Sequence, residues 1–291
     1  MSILDLESLK IFEVVVSELS ITRAASRLGR APSNVTTRIQ QLEAELGAEL
    51  FVRTGKRIAL SGAGQQLLGY AQRIRALEDE ARHVVSGGAH GGTLRIGSME
   101  STAASRLPSV LAAYNQANPT TRLEVSTGPT EPLLAQLRNG QLDCAFVALP
   151  EALRDEPDPG LQSQAIWQEE LCLLLPAHDA EATAPRQVRT RTLAGFKVGC
   201  SYRALAENAL GITAGSAWRV QELGSYHGMI AAVSAGACVA VLPRSVLALS
   251  GHLAPLASLG LGLVDTCLVW RSGYDVPAFE ALRQQLEVPH R

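Results

Sequence analysis

The 291-residue sequence has no long hydrophobic run, and none of its apolar stretches approaches the roughly 20 residues that a membrane-spanning helix needs. Its first ten residues carry Asp5 and Glu7 where a secretory signal would carry lysine or arginine. We therefore expect a cytoplasmic protein that has no part in the membrane.

Cysteine and histidine are too scattered to suggest a metal site. The five cysteines, Cys144, Cys172, Cys200, Cys238 and Cys267, include no CxxC pair, and the six histidines have no acidic neighbours at metal-binding spacing. The sequence also lacks a nucleophile elbow, a phosphate-binding loop and paired carboxylates on one element. We predict no metal, no cofactor and no catalytic residues, and hence no enzyme.

The charge of the chain is small overall but unevenly distributed. The formal net charge is -2, yet the segment from Ile21 to Leu60 carries seven basic and three acidic residues, which makes it +4 against -6 for the remainder. DNA phosphates require cations only where the duplex lies, so a basic segment on an acidic body is typical of a DNA-binding part joined to another domain.

Apolar residues at helical spacing predict three short helices near the N-terminus, over about residues 5–18, 21–28 and 32–46. Ser20 is a suitable N-cap for the second helix, and Pro32 suits the first turn of the third. Gly29 and Gly47 are suitable stops for these two helices. Two helices joined by a tight turn predict a helix-turn-helix.

The third helix carries short polar side chains and an arginine on the outward face of its N-terminal half. A recognition helix meets base edges in this way, although the same face would suit any small helical domain. Strands over 49–53 and 58–60 then predict a hairpin with a basic tip that can reach phosphates or the minor groove. The predicted DNA-binding residues are Arg23, Pro32, Ser33, Asn34, Thr36, Thr37, Arg38, Arg53, Lys56 and Arg57.

A single apolar stripe runs through residues 64–85, which contain no proline. The stripe comprises Leu67, Leu68, Ala71, Ile74, Leu77, Ala81 and Val84. A long helix of this kind must bury its stripe, either against a second subunit or within the monomer. Ser86–Gly92 is rich in glycine and predicts a flexible linker.

Beyond the linker, strand-like and helical segments alternate. Strands are predicted over 93–97, 122–126, 143–148, 170–175, 197–200, 218–220, 239–243 and 266–270, with helices over 103–116, 131–139 and 276–286. This alternation predicts a wound α/β fold in two lobes, with the last strand and helix returning to the first lobe.

Ligands of wound α/β sheets bind beyond the C-terminal ends of the strands, where helix N-termini offer free N–H groups. The predicted ligand-binding residues there are Glu100, Ser101, Thr102, Thr127, Gly128, Thr130, Pro150, Ser201, Tyr202, Arg203, Tyr226 and His227. Their hydroxyls favour a small polar ligand, although the same serines and threonines could serve only as helix caps. We expect Glu100 to point to solvent; otherwise the ligand carries an amino group.

The order of residues in the first 65 positions resembles the LysR-type transcription regulator family. The resemblance is carried by Ala24-Ala25 with Leu28, by the run from Val35 to Gly47, and by Leu50–Arg53 and Leu60–Gly64. The family's recognition helix usually opens Ser-Gln-Pro-Ala-Val-Ser-Arg-Gln-Ile. Pro32 and Thr37 stand here in place of its usual glutamine and arginine, so the bases that are read should differ.

The resemblance implies a winged helix-turn-helix head over 1–60, a linker dimerisation helix over 61–86, a hinge over 87–92 and a periplasmic-binding-protein-like effector domain over 93–291. Its lobes would comprise about 93–160 with 265–291, and 161–264. The implied protein is an effector-responsive regulator that binds double-stranded promoter DNA. It would be a homodimer through the linker helix that assembles into a homotetramer, with RNA polymerase as a further candidate partner.

Three alternatives remain open at this stage. One is a redox-sensing regulator, because peroxide sensors of this family keep their reactive thiol near Cys200; here Asn208 stands where a partner cysteine would be expected. The others are a metabolite-binding protein and an enzyme, each without a role on DNA.

Overall fold

The structure is a computed structural model that describes residues 4–54, 57–85, 92–149, 158–250 and 256–287. The chain forms two compact units, the first comprising the residues up to Val85 together with Asn139–Gln141 and the second the remaining residues, and each has its own apolar core. In the described part of the chain no helix is long and apolar enough to cross a lipid bilayer.

The first unit contains four helices and a two-stranded antiparallel hairpin. They are α1 (Leu6–Glu18), α2 (Ile21–Leu28), α3 (Pro32–Leu46), β1 (Phe51–Thr54), β2 (Arg57–Leu60) and α4 (Gly62–Val85). The three helices predicted at the N-terminus are confirmed. The Ser20 side chain caps α2, and the helix stops Gly29 and Gly47 have the left-handed φ values of +63° and +64° that glycine adopts without strain.

The core of this unit lies where α1, α2 and α3 cross. Ala24 and Ala25 are fully buried, and their small side chains allow close approach of the neighbouring helices. Val35, Ile39 and Leu42 hold one side of α3 against the same core. The remaining surface of α3 is therefore left for polar residues.

Helix α4 begins at Gly62, close to the start of the linker helix expected over 61–86, and the Ser61 hydroxyl caps it by accepting the Gly64 N–H at 2.9 Å. The first half of its apolar stripe packs on the core of the head, with Ala71 fully buried. In the second half, Ile74 is 37% and Leu77 64% exposed. The first half of the stripe is therefore buried within the monomer, and the second half is the part that a partner subunit would bury.

Gly64 lies too close to Leu50 and Leu60 to accommodate any side chain. A Cβ atom there would collide with the Leu50 carbonyl oxygen and lie 2.7 Å from Leu60 Cδ1. We expect Gly64→Ala to destabilise the first unit by roughly 1–3 kcal/mol, through overpacking. Thermal denaturation should show a lower melting temperature. Gly62→Ala is the matched control, since open space surrounds that position; an equal loss in both variants would contradict the steric explanation.

The second unit is built on one eight-stranded sheet in the order β4-β3-β5-β10-β6-β9-β7-β8. Its strands are β3 (Thr93–Ser98), β4 (Arg122–Thr127), β5 (Cys144–Ala148), β6 (Leu161–Leu175), β7 (Thr192–Gly195), β8 (Arg219–Glu222), β9 (Val239–Pro243) and β10 (Ala257–Arg271). Its helices are α5 (Glu100–Ser105), α6 (Leu107–Ala117), α7 (Thr130–Arg138), α8 (Ser201–Ala209), α9 (Tyr226–Ser234), α10 (Arg244–Ala248) and α11 (Pro277–Glu287).

The sheet forms two lobes, which confirms the predicted fold class. Strands β3, β4 and β5 are parallel in the first lobe, and β7, β8 and β9 are parallel in the second. The antiparallel strands β6 and β10 belong to both: β10 pairs with β5, and β6 pairs with β9. Because both strands are shared, the proposed boundaries between residues 160 and 161 and between 264 and 265 stay predictions.

Several predicted elements differ from the structure. The strands expected over 170–175 and 266–270 are the later parts of two longer strands, Leu161–Leu175 and Ala257–Arg271. The helix expected over 103–116 is two helices, α5 and α6, which meet at Arg106. The strand expected over 197–200 is wrong, because Gly199 has a φ of +93°, outside the strand region, and the strand lies at Thr192–Gly195.

Candidate functional site

The N-terminal half of α3 presents an exposed polar face. Pro32, Ser33, Asn34 and Thr37 are all exposed, while the buried Val35 lies on the opposite side of the helix. Asn34 and Thr37 are one helical turn apart and therefore neighbours on this face. The arrangement leaves an amide and two hydroxyls free to meet another molecule.

Two of the predicted residues on α3 already have partners within the head. The Thr36 hydroxyl donates to the Pro32 carbonyl oxygen at 3.0 Å, and Arg38 Nη2 lies 3.2 Å from the Asp5 carboxylate. Thr36 is thus bonded back to its own helix, as threonine often is in helices. The remaining N–H donors of the Arg38 guanidinium are free of this pair, so the contact with Asp5 leaves its predicted role in DNA binding open.

The arginines of the head are partly balanced by acidic residues of α1. Arg23 and Arg27 both pair with Glu18, at 3.5 and 3.0 Å, and Arg30 pairs with Glu7 at 2.6 Å. Glu7 and Glu18 precede Ile21, so the charge of +4 counted over Ile21 to Leu60 overstates the positive charge of the folded head. Exposed pairs of this kind are weak, so phosphates can displace them.

The hairpin predicted beside α3 is present, with Phe51 opposite Leu60 and Thr54 opposite Arg57. Lys56 at its tip lies outside the described residues, as do the side chains of Arg53 and Arg57. Their contacts with DNA stay predictions.

The second unit contains a cavity of about 390 Å³ at the C-terminal ends of four parallel strands, two from each lobe. Each stretch of its wall follows one of β3, β4, β7 and β8. The lining residues are Met99, Glu100, Ser101, Thr127, Gly128, Pro129, Thr130, Phe196, Lys197, Cys200, Tyr202, Glu222, Leu223, Gly224 and Tyr226. This is the location expected for a ligand of a wound α/β sheet.

Seven predicted ligand-binding residues line this cavity: Glu100, Ser101, Thr127, Gly128, Thr130, Tyr202 and Tyr226. Four others do not. Thr102 and Ser201 are buried beside the wall and His227 is exposed, whereas Arg203 lies behind the wall in the contacts given below. Pro150 lies outside the described residues.

Ser201 supports the wall instead of facing the cavity. Its Oγ lies 2.9 Å from Thr130 Oγ1 and 3.0 Å from the Ala148 carbonyl oxygen. A carbonyl oxygen only accepts, so Ser201 donates to Ala148 and Thr130 donates to Ser201. The pair links the start of α8 to the start of α7.

Arg203 does not supply the positive charge that the sequence suggested for the ligand. Its guanidinium donates to Glu207 at 2.7 Å, to Glu222 at 2.9 Å and to the Phe196 carbonyl oxygen at 2.9 Å. The side chain is only 13% exposed. These contacts neutralise Arg203 and hold the loop after β7 against the end of β8.

The expectation that Glu100 points to solvent is wrong. Its side chain is half-buried and forms part of the cavity wall. Burial raises the pKa of Glu100, and the charge of nearby His227 only partly offsets this effect. A carboxylate in this position disfavours an anion beside it.

Buried hydroxyl groups cluster in the cavity wall. The Ser101 and Tyr202 side chains are each 2% exposed, and neither Ser101 Oγ nor the Tyr202 hydroxyl makes a well-formed hydrogen bond among the described residues, although the Tyr202 hydroxyl lies close to those of Ser101 and Thr266, which lower its pKa. Burial raises the pKa of Tyr202 to about 12, so its hydroxyl keeps its proton at neutral pH. Buried hydroxyls without partners are costly unless a ligand or water satisfies them.

Several lining residues were missed from the sequence. Phe196 and Lys197 follow the true end of β7, but the strand predicted over 197–200 placed that end several residues later. Glu222 is the last residue of β8 and Leu223 follows it; they were missed because the strand extends two residues beyond the prediction. Gly199 was the signal in the sequence that could have corrected the first error, because glycine within a predicted strand often marks a turn.

Cys200 lines the cavity as a free thiol. Burial raises its pKa, which leaves the group protonated at neutral pH and slow to react with oxidants. The other four cysteines are free and buried. These features do not favour the redox-sensing alternative.

Two family models together match most of the chain. Residues 6–65 match the bacterial regulatory helix-turn-helix protein of the lysR family, and residues 87–288 match the LysR substrate binding domain. The two matched ranges fall on the two compact units.

Curated relatives and solved structures agree with these matches. GltR of Bacillus subtilis is 37% identical over 246 residues, covering 84% of this chain and 81% of GltR, and YusT of the same organism is 38% identical over 242 residues, covering 82% and 79%. The crystal structure of CbnR, a LysR family regulator, has a TM-score of 0.69 at 22% identity and covers 97% of this chain and 98% of CbnR.

The relatives GltR and YusT are named as transcriptional regulators, and their family is not one of enzymes. The full-length OxyR of Pseudomonas aeruginosa shares the fold, with a TM-score of 0.72 at 21% identity, covering 98% of this chain and 95% of OxyR. The chain therefore belongs to the LysR family of bacterial DNA-binding transcription regulators, and its second unit is the effector-binding domain of that family.

Proposed function

We propose that the exposed face of α3 enters the major groove of promoter DNA in the cytoplasm. The observation that carries this proposal is the division of α3 into a side anchored by Val35 and Ile39 and a polar side with Ser33, Asn34 and Thr37. A full-length CbnR has been solved in complex with its target DNA, and that structure has a TM-score of 0.69 with this chain at 21% identity. Its fold supports the same docking mode here.

A dimer through α4 follows from the apolar residues that the head leaves uncovered. Tyr70 and Leu77 are more than 60% exposed, and Ile74 lies between them. A second copy of α4 would bury this surface and place two heads on a roughly two-fold DNA site. Two such dimers form the proposed tetramer.

The cavity of the second unit is the proposed site of a small polar effector. It lies between two lobes that, in the described part of the chain, are joined by β6 and β10, so a ligand that contacts both lobes favours their closure. Closure would alter the spacing of the heads and the bend of the DNA.

Asn34→Ala and Arg57→Ala should affect DNA binding in different ways. Asn34→Ala removes a candidate base contact and should change the sequence preference at a cost of about 1–3 kcal/mol. Arg57→Ala removes a candidate phosphate contact, so it should weaken binding to all sequences and reduce the salt slope by about 1. Both are measured by gel shift on the DNA upstream of the gene and on unrelated duplexes.

Arg219→Ala is the matched control, because Arg219 is an exposed arginine of the second unit. It should leave both the affinity and the salt slope unchanged. If neither Asn34→Ala nor Arg57→Ala differs from this control, the assignment of the DNA-binding face fails.

A further inference from the structure

The effector cavity contains a carboxylate whose only described counter-charge is the exposed His227, which lowers the pKa of Glu100 less than burial raises it. Glu100 lines the cavity, and no hydrogen bond or ion pair joins its carboxylate to any residue that the structure describes. The other lining carboxylate, Glu222, is paired with Arg203 at 2.9 Å. Lys197 is a lining residue too, but it is exposed, and solvent screens its charge. The buried part of the cavity is therefore electronegative.

An aromatic pair stands in the same wall. The rings of Phe196 and Tyr226 meet edge to face, with centroids 4.9 Å apart and planes at 81°. Both rings line the cavity, and Tyr226 is 5% exposed. Ring faces attract organic cations, and the attraction increases when the cation is removed from water.

The buried hydroxyls add further acceptors. Ser101 directly follows Glu100, and its hydroxyl, like that of Tyr202, makes no well-formed hydrogen bond among the described residues; the hydroxyls of Ser101, Tyr202 and Tyr226 lie close together. A protonated amino group has three N–H donors and no acceptor, so one carboxylate and two hydroxyl oxygens complement it. A carboxylate ligand could use the hydroxyls as donors, but it would meet the charge of Glu100 at close range.

Part of the wall is apolar. Met99, Pro129 and Leu223 contribute uncharged side chains that suit a hydrocarbon body, and the Met99 sulfur already accepts the Ala148 N–H at 3.1 Å. We propose that the effector is a small organic amine, whose ammonium group binds Glu100 beside the aromatic pair and whose apolar body contacts these side chains. This inference rests on the proposed function of the cavity as the effector site.

The test uses the full-length chain and a matched series of probes. The probes are 2-phenylethylamine, pentylamine, phenylacetate, hexanoate and 2-phenylethanol, measured by isothermal titration and by thermal shift. We expect saturable binding of at least one amine and weaker or no binding of the acids and the alcohol. In Glu100→Gln, amine affinity should fall by at least about tenfold, because a charge-assisted hydrogen bond is lost.

Two control variants separate charge from fold. Glu181→Gln removes an exposed carboxylate elsewhere in the second unit and should leave amine affinity unchanged. Glu100→Asp keeps the charge and should retain the preference for amines over acids. Amine binding that is unaffected in Glu100→Gln, or an absence of amine binding in the wild-type chain, would overturn the proposal.

The outcomes also distinguish this inference from the function of the cavity. Gly224 lines the cavity with open space around its Cα, so Gly224→Trp should obstruct ligand entry. If acids bind, bind more tightly in Glu100→Gln, and are blocked by Gly224→Trp, the amine inference fails while the effector site stands. If Gly224→Trp leaves binding of the amine intact, the cavity is not the effector site and both proposals fail.

Discussion

Thr37→Glu is expected to weaken binding to duplex DNA by about 100-fold or more. Thr37 lies on the exposed face of α3, one turn after Asn34. Each lost base contact costs about 1–3 kcal/mol, and the added carboxylate also repels the phosphates that flank the groove. Glutamate is a good helix former, so α3 itself should remain intact. Gel shift or fluorescence anisotropy at fixed salt measures the effect.

Thr213→Glu provides the control for the added charge. Thr213 is an exposed loop residue of the second unit, far along the chain from α3. The net charge of the protein changes equally in both variants, so only the position of the carboxylate differs. Wild-type affinity in Thr37→Glu, with the variant correctly folded, would show that this face of α3 does not meet DNA.

Glu169→Ala is expected to cause a large loss of stability in the second unit. Glu169 is 4% exposed on β6, where it accepts a hydrogen bond from Arg106 Nε and another from Ser245 Oγ, both at 2.7 Å. Its removal leaves Arg106 without its carboxylate, and the Arg106 side chain is only 36% exposed. A loss of roughly 2–4 kcal/mol follows, somewhat below the full effect for a wholly buried pair.

That loss corresponds to a fall in melting temperature of roughly 4–16 °C for a unit of about 200 residues. Glu170→Ala is the matched control, since the neighbouring Glu170 also binds an arginine at 2.7 Å but is 42% exposed. Solvent screens the Glu170–Arg244 pair, so its loss should change the melting temperature little. Equal falls in the two variants would mean that burial of Glu169 is not the reason for its effect.

The head could be predicted from the sequence because its signals are local. Helix stops at Gly29 and Gly47, the cap at Ser20 and the spacing of apolar residues all act within a few positions of one another. The pairing of the arginines with α1 could not be predicted in this way. Arg38 and Asp5 are 33 residues apart, and only the folded head brings them together.

The effector cavity was predicted by position better than by side-chain direction. The rule that ligands bind at strand ends located the wall segments after β3 and β4, whereas the segments after β7 and β8 were missed because the predicted ends of these two strands were displaced. The directions of Glu100 and Arg203 depended on contacts between distant segments. Arg203 turns away from the cavity because Glu207 and Glu222 together satisfy its guanidinium, and Glu222 belongs to another strand.

The pairing of β6 with β10 limits how the two lobes can move. The two strands are hydrogen-bonded from Leu161 to Leu175, with register shifts between Gly260 and Gly262 and between Thr266 and Cys267. Such a ribbon bends more readily out of its plane than within it, because in-plane bending would stretch the bonds between the strands. We therefore expect the lobes to move chiefly by bending of this ribbon out of its plane, and the two register shifts, where the regular pairing is interrupted, are where we expect the bending to occur.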